Sequence, residues 1–221
     1  MEEKTEIILV RHGETDYNLN RIFQGSSNIP LNERGKKQAG YAWNALKDVR
    51  IDAAYASPLS RAFETCQIIL GDRNIQPIPE NGIREICVGK WEGVPIEDLM
   101  KNYPEQFNLW MNCPSKFSVE GSESLKQVSD RAVKSFYRIA EENRGKRVLM
   151  VSHMVALSTI MLNVAQIPLD ELWNHGVINA GINVIEFKSN GRPEIKLWNG
   201  DDHIPEDERL KKPFEDEKKQ G

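Results

Sequence analysis

The chain has 221 residues, with 29 lysines and arginines against 33 aspartates and glutamates. That is long enough to bury one sizeable core, and too evenly charged to provide a basic surface for nucleic acid or an anionic membrane. Three cysteines, Cys66, Cys87 and Cys113, give neither an even count nor a CxxC spacing, so neither a disulfide framework nor a metal site is indicated. The start, Met1-Glu2-Glu3-Lys4, is acidic and runs directly into a strand-like stretch, and nowhere does the chain reach the roughly 18 consecutive apolar residues of a membrane span. A cytoplasmic protein without a membrane partner is expected.

Ile7 to Val10 is a short, wholly apolar run that ends in Arg11, His12 and Gly13, the pattern of a central strand buried on both faces. A loop with Gly25, Ser26, Ser27 and Pro30 leads to Glu33 to Val49, where Ala39, Ala42, Trp43, Leu46 and Val49 recur at helical spacing behind the cap candidate Asn32. Ala53 to Ala56 reads as a second strand. Ser57-Pro58 then reads as a helix cap and a first-turn proline, with Arg61 in the first turns.

From Ile86 to Gly121 the pattern is irregular, with Trp91, Phe107, Trp110 and Phe117 among Pro95, Pro104 and Pro114; short helices forming a cap are predicted. Glu123 to Asn143 is amphipathic, Arg147 to Val151 is a buried strand followed by Ser152 and His153, and Val155 to Ala165 is a core helix. Ile182 to Phe187 and Glu194 to Trp198 form a hairpin around Asn190-Gly191. The alternation predicts a three-layer α/β/α sandwich with a mainly parallel sheet. Its single domain is expected over 1–204, with the cap at about 86–121 and a charged, flexible tail at 205–221.

Ligands of such sheets bind at the carboxyl ends of the strands, where Arg11, His12, Arg61 and His153 converge. Two guanidinium forks can hold one phosphoryl group, and a histidine with one unprotonated ring nitrogen can attack phosphorus near neutral pH. His12 is thus the candidate nucleophile, and His153, protonated among phosphate oxygens, a candidate stabiliser of transition-state charge. Glu85, in Gly82-Ile83-Arg84-Glu85-Ile86, is the candidate acid for the leaving alkoxide; a carboxyl beside phosphate is expected at a raised pKa. Taken singly, each of these residues is more often structural than catalytic. The combination points to phosphoryl transfer.

The run Leu-Val-Arg-His-Gly-Glu-Thr at 9–15, with Asn18, then Ser57-Pro58-Leu59-Ser60-Arg61-Ala62 and Val151-Ser152-His153, resembles the histidine phosphatase superfamily, which includes cofactor-dependent phosphoglycerate mutases. Gly35, Gln38-Ala39, Glu85 with Gly89-Trp91-Glu92-Gly93, and Gly121 to Ser124 through Arg131 extend the likeness. The resemblance implies the phosphoglycerate mutase-like fold, His12 as phosphohistidine nucleophile and Arg11, Asn18, Arg61 and His153 as phosphate ligands. It further implies Glu85 as proton donor, a pocket lined by Gln24, and neither metal nor cofactor. Met154 and Val155 follow His153 where many members have glycines, so Met154 is placed in the pocket wall.

The longer basic insertion by which mutases resemble one another is absent, and Trp91 to Phe117 carries only Lys101 and Lys116 as its main cations. An aromatic rim favouring small monophosphates with an apolar or varied alcohol part is expected. Pro168 to Trp173 and Gly200 to Ile204 resemble the bacterial broad-specificity branch. A phosphomonoester hydrolase is the first reading. A phosphoglycerate mutase or an α-ribazole phosphatase is the alternative, and an inactive phosphate-binding relative is a remote one. Monomer and homodimer both stay open.

Overall fold

Ile7, Ile8, Leu9 and Val10 are all buried in strand β1 (Thr5–Arg11). A strand apolar on both sides is stable only between two helical layers, and β1 occupies such a place in the computed structural model, which describes residues 4–188 and 190–209. Ile7 and Leu9 enter one core and Ile8 and Val10 the other, as the two-residue period of a strand requires.

Among the described residues the further strands are β2 (Ala53–Ala56), β3 (Ile78–Pro79), β4 (Arg147–Ser152), β5 (Ile182–Phe187) and β6 (Pro193–Gly200). They form one sheet in the order β3-β2-β4-β1-β5-β6. The pairs β1–β4, β2–β4 and β2–β3 are parallel, while β5 runs antiparallel to β1 and β6 antiparallel to β5. The mainly parallel three-layer sandwich expected from the alternation of elements is the observed fold.

The helices in chain order are α1 (Asp16–Leu19), α2 (Glu33–Leu46), α3 (Ser60–Leu70), α4 (Ile96–Asn102), α5 (Pro104–Asn112), α6 (Leu125–Glu142) and α7 (Met154–Ala165). Ala42 and Leu46 of α2 pack with Ala62, Cys66 and Ile69 of α3 on one face of the sheet. On the other, Leu125, Val128 and Phe136 of α6 pack with Val155, Leu157 and Ile160 of α7. Asn32 caps α2 as predicted, accepting a hydrogen bond from the Gly35 N–H. That helix ends at Leu46 rather than Val49, because Arg73 binds the carbonyls of Leu46, Lys47 and Val49. The four-residue α1 and the two-residue β3 are too short to leave a period in the sequence.

Helix α3 starts at Ser60 and not at Pro58, and its cap position, Leu59, makes no side-chain cap. The Ser57 hydroxyl is engaged elsewhere, 2.7 Å from His153 Nε2. Contrary to expectation, the aromatic residues of the cap do not form a rim. Trp91, Phe107, Trp110 and Phe117 are buried, with edge-to-face contacts of 5.0 Å between Trp91 and Phe117 and 4.6 Å between Trp110 and Phe117. Phe23 and Trp173 join them at 5.5 Å and 5.0 Å from Trp110. Aromatic rings carry the largest apolar area per residue, and in so short a segment that area forms the cap's own core and ties it to the sheet domain.

Glu206–Glu208 form one turn held on α2, where Arg34 pairs with the Glu208 carboxylate at 2.9 Å and Gln38 donates to the Glu208 carbonyl. From residue 210 onward, the charged tail expected at 205–221 lies outside the described residues. Among the described residues no helix is long and apolar enough to cross a membrane.

Candidate active site

Three neighbouring strand ends converge. Ser57 leaves β2 with its N–H on the Val151 carbonyl, and His12 leaves β1 with its N–H on the Ser152 carbonyl, each at 3.0 Å. His153 leaves β4 between them and opens α7 as its cap residue. Parallel pairing of Arg11 with Ser152 thus brings the two histidines to a ring separation of 5.1 Å, inclined at 60°.

His12 is 1 % exposed, and its tautomer follows from its partners. Nδ1 lies 2.6 Å from the Gly13 carbonyl, which can only accept, so Nδ1 carries the proton. Nε2 keeps its lone pair and accepts from Arg61 Nε at 3.2 Å. Burial, then the charges of Arg61 and Arg11, push His12 well below the ordinary imidazole value, which keeps that lone pair available at neutral pH. Gly13 is required by close approach: a Cβ there would stand 2.2 Å from the Gly35 carbonyl oxygen.

Arg61 is fully buried, and besides His12 it donates to the carbonyls of Ser27 and Gly25 at 2.7 and 2.9 Å. The left-handed backbone of Gly25, φ +51°, turns this loop towards Arg61. Glu92 braces the same loop by accepting from the Ser26 N–H and from the hydroxyls of Ser26 and Ser27. Arg11 donates to the Val177 carbonyl at 3.0 Å, while its Nε is buried without a protein partner. Burial brings both guanidinium groups down to about 10, with Glu85 opposing the shift in each case. Both therefore stay charged at neutral pH. Two buried cations with incomplete counter-charge are costly, and a bound dianion relieves that cost.

Glu85 lies over the start of α7, accepting from the Ile86 N–H at 3.0 Å and the Val155 N–H at 3.3 Å. Its segment is clamped by Arg131 of α6, which donates to the carbonyls of Gly82, Arg84 and Glu85 and pairs with both carboxylate oxygens of Glu123. We expect Arg131→Ala to lower stability by about 2–3 kcal/mol, since it strands three carbonyls and a partly buried carboxylate. Arg131→Lys should recover less than half, because an ammonium cannot reproduce the fork; urea unfolding measures both. Burial pushes Glu123 upward, but the hydrogen bonds from Arg131 and the Cys87 N–H outweigh it and hold the carboxyl below its ordinary range. A carboxylate depressed in the folded state stabilises above its unfolded pKa, so the clamp's contribution is lost as pH falls through the folded value.

Of the other residues singled out in the sequence, Asn18 and Gln24 both meet Thr15. The Asn18 Oδ1 accepts from the Thr15 N–H at 3.1 Å, and the Thr15 hydroxyl, with one proton to give, lies 3.1 Å from that oxygen and 2.9 Å from Gln24 Oε1. The Asn18 oxygen is therefore occupied, and its amide NH2 group is the end suited to an anion. Met154, 7 % exposed, packs in the core under α7, with its sulfur 3.8 Å from the Ser158 hydroxyl. The structure thus groups Arg11, His12, Arg61, Glu85 and His153, with Asn18 on α1 and Gln24 on the loop that follows it, whereas Met154 belongs to the apolar core.

Three supporting residues carry no local mark of their role. Thr65 accepts from the Gly13 N–H, Asn179 donates to the His12 carbonyl, and Ser57 meets His153. Each acts across a distance in sequence that no spacing rule spans. Among the described residues, no cluster of three or more histidine, cysteine, aspartate or glutamate side chains is arranged to hold a metal ion.

The family profile described as Histidine phosphatase superfamily (branch 1) matches residues 7–201. The chain belongs to this superfamily. Among the relatives of this histidine phosphatase superfamily member, phosphoserine phosphatase 1 of Hydrogenobacter thermophilus is 33 % identical over 192 residues, covering 87 % of this chain and 91 % of that protein. Bacillus stearothermophilus YhfR superposes with a TM-score of 0.87 at 31 % identity, covering 91 % of this chain and all of that one. A mutant phosphoserine phosphatase from Entamoeba histolytica, solved in complex with phosphoserine, gives a TM-score of 0.77 at 30 % identity, again over 91 % of this chain and all of that one.

Proposed function

We propose that the chain hydrolyses small phosphomonoesters by way of a phosphohistidine. In the first step His12 Nε2 attacks phosphorus in line while Arg11, Arg61 and His153 hold the equatorial oxygens, and the ester P–O bond breaks as Glu85 protonates the departing alkoxide. In the second, water attacks the phosphorus in line with Nε2 and gives a proton to the Glu85 carboxylate, and the P–Nε2 bond breaks to release inorganic phosphate and restore the Nε2 lone pair. The observation that carries this reading is the forced tautomer of His12, with Nδ1–H on the Gly13 carbonyl and the Nε2 lone pair turned to Arg61.

Water as acceptor is supported by the phosphatases among the relatives and by a short cap whose main cations, Lys101 and Lys116, are both exposed. Unpaired Cys66, Cys87 and Cys113 support a cytoplasmic setting, and the partner is a small phosphomonoester.

A panel of phosphorylated metabolites, assayed for both phosphate release and isomerisation after exhaustive chelation, tests the proposal. Phosphate release at the full untreated rate is expected. Isomerisation with the phosphoryl group retained on product would point instead to a mutase, and loss of activity restored by a divalent ion to a metal-assisted route.

A further inference from the structure

Ser57 is fully buried at the end of β2, and its Oγ lies 2.7 Å from His153 Nε2. The oxygen also accepts, weakly, from the Leu59 N–H at 3.4 Å. Among the described residues, His153 Nε2 is the one acceptor within hydrogen-bonding reach of the Ser57 hydroxyl proton. The other ring nitrogen, Nδ1, is buried without a protein partner.

A neutral imidazole offers one N–H and one lone pair, and its neighbours decide which nitrogen carries which. Burial and then the charges of Arg61, His12, Arg11 and Arg131 hold His153 well below the ordinary imidazole value, so the protein by itself favours the neutral ring. The Glu85 carboxylate, which lies over the first turn of α7, accepts from the Val155 N–H rather than from this ring.

We infer that Ser57 is a positioning residue, whose hydroxyl donates to His153 Nε2 and so fixes the proton on Nδ1, presenting a neutral N–H donor to the phosphoryl group. The opposite tautomer would set a nitrogen lone pair against phosphate oxygens, which repels instead of binding. Serine suits the position because its hydroxyl donates to a nitrogen that must stay unprotonated, without bringing a charge into a site built from buried arginines. The inference rests on the reading of His153 as a phosphate ligand, although the tautomer itself is independent of turnover.

The test is 15N correlation spectroscopy of the imidazole rings at pH 7.5 to 8, on the full chain, with the His153 signals identified by their loss in His153→Asn. Wild type is expected to show a protonated Nδ1 and an unprotonated Nε2. Ser57→Ala is expected to lose that pattern, to bind inorganic phosphate more weakly and to lower kcat/KM by about tenfold to a hundredfold. Ser57→Thr, which keeps the hydroxyl, should restore the tautomer.

A protonated Nε2 in wild type overturns the inference whether or not Ser57→Ala folds. So does a Ser57→Ala protein with unchanged tautomer and phosphate affinity. If wild type shows the expected tautomer but releases no phosphate from any ester, the hydrolase reading fails while the assignment of Ser57 stands.

Discussion

Replacing His12 with alanine is expected to lower phosphate release by on the order of 10^4-fold or more, because loss of a nucleophile removes the covalent route and leaves only binding and electrostatics. The magnitude follows from how completely the fold commits this ring. Its Nδ1 is tied to the Gly13 carbonyl, its Nε2 receives Arg61, and its backbone is held by Ser152 and Asn179. The other histidine of the site, His153, has its Nε2 on Ser57. Brief incubation with a 32P-labelled phosphomonoester followed by denaturation should leave an acid-labile, alkali-stable label on wild type and none on His12→Ala. Label persisting in the variant would move the nucleophile elsewhere. Thermal unfolding of the variant serves as a control, because the substitution also leaves a gap between two buried arginines.

The second large effect is expected for Glu85→Gln, and its size should depend on the substrate. General acid catalysis contributes about 10^2- to 10^4-fold, most where the leaving alkoxide is basic. Alkyl phosphates should therefore lose most of that factor, whereas nitrophenyl phosphate, whose leaving group departs unassisted, should lose far less in the phosphorylation step. Glutamine keeps the shape and can still accept from the Ile86 and Val155 N–H groups through its carbonyl oxygen, so the fold and the Arg131 clamp should persist. Equal losses on both substrates would assign the proton to another group. Steady-state kinetics across a series of leaving-group pKa values reads the difference as a steeper slope in the variant.

Much of this fold was legible in the residues because the interior is organised by period. A four-residue apolar run such as Ile7 to Val10 has no exposed face, so it must be central; the 3.6-residue spacing in Glu33 to Val49 and Glu123 to Asn143 placed α2 and α6 close to where they lie. The segment from Ile86 to Gly121 was harder. Scattered at no fixed period, its aromatic residues suggest a rim for the substrate, and the contacts of Trp91, Trp110 and Phe117 with Phe23 and Trp173 make them a small core instead.

The opening motif of Arg11, His12 and Gly13 carries its chemistry by residue type alone: an unprotonated imidazole beside a fixed cation is suited to attack on phosphate, and that much the sequence by itself determined. Tertiary structure decided which ring nitrogen of His12 keeps its lone pair, how Arg61 is aimed, what clamps Glu85 and why Ser57 faces His153 instead of capping α3. Those are hydrogen bonds between chain segments brought together at adjacent strand ends. Their directions depend on sheet order and register, which arise from packing of the whole chain and leave no periodic trace along it.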